Sequence, residues 1–146
     1  MNEPNTPRVR LPILRIIWGA VVFSLIIFVA VVHLIVLPGL GEKETESISA
    51  LPFPMHYIFI LIAFGAAVVF VFLRQKRDIA IAELSHDPEK AAQERIKRSI
   101  MLFAVAEMVG FLGCAILSIG APYLQGMGLV GISLILLSME FPGSDS

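Results

Sequence analysis

The chemistry open to this chain rests on a short list of residues, and the first is Glu107. It stands in the apolar run Ile100–Ile119, about 10 Å past its start at the rise of an α-helix. A carboxylate at such depth in lipid costs several kcal/mol unless it is neutralised, paired or hydrated. Two roles would meet that cost. One is a structural ion pair with Arg15, four residues into the first apolar run. Arg15 would lie about 6 Å deep, so a parallel neighbour leaves a height difference of about 4 Å, within an arginine's reach. The other role is an exchangeable proton or sodium site, because apolar surroundings favour a neutral carboxyl that can release its proton when a cation or water approaches. Cys114 and Ser118 share the helical face of Glu107 and complete that candidate ion site. Ala106, Gly110 and Gly113 around it are small enough to let a neighbouring helix approach closely, as are Gly126, Gly128 and Gly131 in the following run.

Other constellations are thin. A single cysteine, Cys114, excludes an internal disulfide framework and a multi-cysteine metal site. His33, His56 and His86 match no zinc spacing. His33 and His56 fall near one boundary on adjacent helices and could bracket a haem, although histidines at a membrane interface more commonly hold no cofactor. His86 lies in a charged loop. There is no glycine-rich phosphate loop, nucleophile elbow or triad-like grouping. The net charge of −1 gives no reason to expect a nucleic-acid partner. The reading is a non-enzyme with no cofactor and no metal.

The elements that must position these residues are membrane helices. Of 146 residues 57% are hydrophobic, above the ~45–50% of soluble domains, and they sit in long runs that suit a lipid solvent. The expected spans are Leu11–Leu37, Met55–Leu73, Ile100–Ile119 and Tyr123–Phe141. The first covers 27 residues, too long for the ~7–15-residue apolar core of a signal peptide, so it is read as a permanent span. Pro38-Gly39, Pro52-x-Pro54, Gly120-Ala121-Pro122 and Pro142-Gly143 mark the breaks. Only helices satisfy the backbone in lipid at these lengths. The fold class is therefore all-α: one polytopic four-helix domain over residues 1–146, made of two hairpins.

Lysine and arginine set the orientation. The N-terminal flank holds Arg8, Arg10 and Arg15. The first loop has Lys43 against Glu42, Glu44 and Glu46. The loop 74–99 carries seven of the eleven basic residues. Both termini and that loop are expected on the cytoplasmic side, with Tyr57 and Tyr123 at the outer boundary. Within the loop, Asp87 can cap a helix with Pro88 at its first position and Glu89 near its positive end. Glu94 and Arg98 stand one turn apart in the favourable order. These signals predict one continuous helix over Pro88–Ile119. Most of the loop's charges read as a solvated face.

The stretch Ala104-Val105-Ala106-Glu107-Met108-Val109-Gly110-Phe111-Leu112-Gly113 resembles the ion-carrying second helix of the c subunit, or proteolipid, of rotary ATP synthases. In that family a polar loop with a Pro-Glu pair precedes an Ala-x-Ala-Glu element, and here Pro88-Glu89 precedes Glu107 by 19 residues. The likeness covers roughly a fifth of the chain, and the whole also resembles small four-helix bacterial membrane proteins with a Glu-bearing third helix. It implies a protonatable carboxylate at Glu107. Two functions stay open. One is an accessory or structural subunit of a larger membrane complex, with a buried Glu107 paired to Arg15. The other is a proton- or sodium-translocating subunit working through Glu107. Either implies a multi-pass protein of the bacterial inner membrane, whose partners are the lipid bilayer and other membrane subunits or copies of itself.

Overall fold

A computed structural model describes residues 11–39 and 55–141. All elements among them are helical. Helix α1 (Leu11–Val31) continues through a π-helical turn (Val32–Val36) and a final turn (Leu37–Gly39). Helices α2 (Met55–Glu83), α3 (Pro88–Ser118) and α4 (Tyr123–Met139) follow. Three of the four are long and apolar enough to cross a membrane, and α4 is a shorter apolar helix. Its 17 residues reach about 25 Å, at the lower limit for a span. The flank holding Arg8 and Arg10, the acidic first loop with Pro52-x-Pro54, and the Pro142-Gly143 break lie outside the described residues.

The charged segment 74–99 is far more ordered than a loop. Helix α2 runs ten residues past Leu73, to Glu83, and only residues 84–87 form a turn. Asp87 Oδ1 accepts from the backbone N–H of Lys90 at 3.2 Å, and Pro88 occupies the first turn. That cap starts α3 at Pro88, and the helix ends at Ser118, one residue short of the predicted Ile119. At its far end Gly120 takes φ 70°, with Gly120 N–H bonded to Leu117 O and Ala121 N–H to Ile116 O. This pair of bonds is a Schellman closure, which favours glycine at the left-handed position. It turns the chain sharply into α4.

Helix α3 is the hub. Half of its apolar window is buried, against 11% for α1 and 17% for α2. It packs against α1, α2 and α4, and Leu102, Phe103, Ala106, Val109, Ile116 and Leu117 are all at most 1% exposed. The α3–α4 crossing is closest at a glycine pair. A Cβ at Gly113 would stand 2.6 Å from Gly126 O, and one at Gly126 would stand 2.8 Å from Gly113 O. Gly110 is equally closed, by Leu25 and the Ser133 hydroxyl. Gly128 and Gly131, also expected at a helix contact, have nothing within 4 Å of an added Cβ. They lie on faces of α4 turned away from α3.

Helix α1 is held to α4 mainly at its two ends. Near one end Trp18 Nε1–H donates to Leu137 O at 2.8 Å and its ring meets Phe141 edge-on. Near the other, His33 Nε2 lies 2.8 Å from the Tyr123 hydroxyl. His33 Nδ1 lies 3.2 Å from Val29 O, and a carbonyl can only accept. The proton of a neutral His33 is therefore on Nδ1, and Tyr123 donates to Nε2. Both ring nitrogens are thus engaged. The π turn around His33 has a local cause. Pro38 lacks an N–H and its ring crowds the carbonyl four residues back, and the turn before it opens so that Leu37 N–H bonds to Val32 O. Large apolar side chains cover the exterior, among them Ile16 71%, Leu34 76%, Leu61 71% and Leu124 83% exposed. Water would penalise such a surface, whereas lipid matches it.

Candidate functional site

Glu107 sits near the middle of the apolar stretch of α3. It lies about 13 Å beyond Arg98 and about 16 Å before Ser118, counting residues at the helical rise. It is half-buried rather than buried. Among the described residues it has no hydrogen bond and no ion pair. Its neighbours along the helix explain the placement. Ala106 and Gly110 face inward, where Ala106 O accepts from the buried Ser133 Oγ at 2.7 Å. Glu107, one residue round, points to the rim of that contact.

The structure differs from the expected Glu107–Arg15 pair, and the reason is register. Helices α1 and α3 run parallel, with Leu25 against Gly110 and the Phe28 ring 4.9 Å from that of Phe111. Counted from those two contacts, Arg15 falls seven to nine residues below Glu107, or about 10–14 Å. That gap exceeds an arginine's reach. Equating the starts of the two apolar runs placed Arg15 too deep. The bond from Trp18 to Leu137 puts this part of α1 level with the end of α4, and Arg15, one turn earlier, is exposed.

Cys114 and Ser118 do not converge with Glu107 into a ligand set. Cys114 is fully buried against Val32, Leu117 and Val130. The Ser118 hydroxyl donates to Cys114 O at 2.9 Å within its own helix. Ser118 lies eleven positions beyond Glu107 on α3.

The buried, ion-paired acid is Glu140. Its side chain is 3% exposed and touches two arginines of α2, Arg77 and Arg74. Arg77 Nη1 donates to Oε2. Arg74 Nε lies 3.2 Å from Oε1. Arg77, itself 13% exposed, also reaches Asp78 at 3.0 Å. Residues 74 and 77 are three apart and share a helix face, so the extension of α2 presents both to the end of α4. The signal was present in the sequence: an acid closes the last apolar run, and two arginines at spacing three follow the second. Assigning the segment 74–99 to a solvated face concealed it.

Farther out, Arg98 Nε donates to Glu94 at 2.9 Å and Arg98 Nη1 to Lys76 O at 3.2 Å, fixing α3 to α2. The Arg98 guanidinium, with help from the Lys97 charge, holds the Glu94 carboxyl below its usual range. Lys90, bonded to Asp87 through its ammonium and its backbone N–H, does the same for that carboxyl. No group of three or more His, Cys, Asp or Glu side chains with metal-binding geometry occurs among the described residues. Comparison with protein-family models, with curated proteins and with solved structures finds no match.

Proposed function

We propose that this chain is a non-enzymatic integral membrane protein that serves as a subunit of a larger membrane assembly, with Glu107 at the contact. The observation that carries the reading is the half-buried carboxyl of Glu107, midway along α3 and without a partner among the described residues. An acidic side chain at the centre of a membrane helix costs about 2.5–3.5 kcal/mol on insertion scales. Two arginines of α2, Arg74 and Arg77, are held by Glu140 instead. A neighbouring subunit that covers this side of α3 would remove that cost. The charged end of the bundle, with its excess of basic residues in segment 74–99, is assigned to the cytoplasmic side, and the bacterial inner membrane is the setting this implies.

A photo-crosslinking residue at Ala104, exposed and one turn before Glu107, tests the contact in native membranes while Glu107 stays intact. Adducts to another polypeptide are expected. Adducts to lipid alone would overturn the proposal.

A second reading has its own support. Helix α3 is continuous from Pro88 to Ser118, so Glu107 stands on one unbroken helix with the Pro-Glu pair at its start, as in the proteolipid it resembles. On this reading Glu107 is a proton- or sodium-exchanging carboxyl, and the neighbouring subunits are copies of the same chain. A regular ladder of self-adducts from Ala104 would favour it. One heterologous adduct would favour the accessory role.

A further inference from the structure

Two hollows flank α3 at the charged end of the bundle. One, of about 240 Å³, is lined by Leu73, Glu94, Lys97, Arg98 and Met101, between α2 and α3. The other, of about 480 Å³, is lined by Ile13, Gln93, Ile96, Lys97 and Ile100, between α1 and α3. Lys97 belongs to both. In each, the polar lining comes from residues 93–98, and apolar lining at Ile100 or Met101 follows one turn deeper.

The charges at this level are unevenly matched. Arg74 and Arg77 are held by Glu140, Lys90 by Asp87, and Arg98 by Glu94. Lys97 is exposed and forms no ion pair among the described residues. Among the charged residues that line the two hollows, Lys97 and Arg98 against Glu94 leave one positive charge in excess. Lys76, at the same level, lays its ammonium 4.9 Å from the centre of the Phe72 ring. An amphipathic side chain lies this way where apolar and aqueous phases meet.

From this placement we infer that Lys97, with Arg98 beside it, binds the phosphate of one anionic phospholipid, whose two acyl chains run into the hollows on either side of α3. The inference rests on the membrane-spanning reading above. One excess cation fits one anionic headgroup, and a ridge between two greasy hollows suits a lipid with two chains. A zwitterionic headgroup would bring its own cation against Lys97.

The chain's single tryptophan, Trp18, lies at this end of the bundle and reports the occupant. The full chain is reconstituted in phosphatidylcholine vesicles holding a minor fraction of phosphatidylglycerol, with bromine carried on the chains of one lipid or the other. Brominated phosphatidylglycerol is expected to quench Trp18 as if enriched about fivefold over its bulk fraction, the preference one lysine provides near an anionic leaflet. Lys97→Gln is expected to abolish the enrichment and Lys90→Gln to leave it. Equal quenching by the two lipids, or enrichment that survives Lys97→Gln, would overturn the inference. So would protection from both lipids in a chain that crosslinks to itself at Ile100, since a second copy would then fill the hollows. A chain that stays in the aqueous fraction and is quenched by neither lipid would instead overturn the membrane reading beneath it.

Discussion

Replacing Glu140 with leucine removes the anion that two arginines share. Glu140 is 3% exposed and Arg77 13%, so the vacated guanidinium of Arg77 cannot easily regain water. Breaking a fully buried pair by deleting one partner costs about 3–5 kcal/mol. Arg74 is 35% exposed and Arg77 keeps Asp78, so re-solvation reduces the expected cost to about 2–3 kcal/mol. For a chain of this length that corresponds to a fall of about 6–10 °C in the thermal midpoint. The assay is thermal unfolding of the purified chain in a mild non-ionic detergent, followed by far-ultraviolet circular dichroism. The double variant Arg77→Met with Glu140→Leu separates the pair from simple packing. The double variant leaves only Arg74, 35% exposed, and the exposed Asp78 without these partners, and both can regain water, so it is expected to recover most of the lost stability. A fall of under about 2 °C for Glu140→Leu, or a double variant with no recovery, would refute the claim that this clamp closes the bundle.

Further predictions concern the turns and crossings. Gly113→Val should lower the midpoint by at least as much as Glu140→Leu, because its Cβ would meet the Gly126 carbonyl at 2.6 Å and backbone cannot step aside, whereas Gly128→Ala, with open space around it, should be neutral in the same melt. Gly120→Ala places a side chain at φ 70° and should cost about 1–2 kcal/mol, read as a lower midpoint. Asp87 and Glu94 both have carboxyls held below the usual range by basic partners. Their stabilising contribution is present at neutral pH and is lost as pH falls through those depressed values. The protection of amides 84–91, taken relative to the intrinsic exchange rate at each pH, should therefore fall in acid, below about pH 4, and Asp87→Asn should flatten that dependence.

The all-helical architecture was legible in the long apolar runs. Runs of about 20 apolar residues allow few other structures, and the start of α3 could be read from Asp87-Pro88-Glu89. The continuation of α2 to Glu83 was hidden by charge. Residues 74–83 have no apolar stripe broad enough to announce a helix, and they stay helical because Arg74, Arg77 and Lys76 O make contacts with α3 and α4. The π turn at Val32–Val36 could be traced to Pro38 only once the backbone was known. Gly110 and Gly113 look the same in sequence as Gly128 and Gly131. Which of them meet a neighbour depends on how α4 is rotated, and hydropathy does not specify that. Arg15 was misplaced in depth for a related reason: the length of an apolar run does not fix its register against another, and here Leu25 on Gly110 and Trp18 on Leu137 decide it.

Glu107 has no partner among the described residues, and carbodiimide labelling, which attacks a protonated carboxyl in an apolar site, tests most directly whether it also lacks one in the whole chain. The labelling is read by mass spectrometry across a pH series, in native membranes and on the purified chain, with Glu107→Gln as the blank. Glu107 is expected to label on the purified chain and to be protected in native membranes where a neighbour covers it. Strong labelling in membranes that fades only at high pH, or is blocked by sodium, would favour the ion-exchanging reading. Failure of the purified chain to label at any pH would mean a permanent partner inside the chain and would contradict the account.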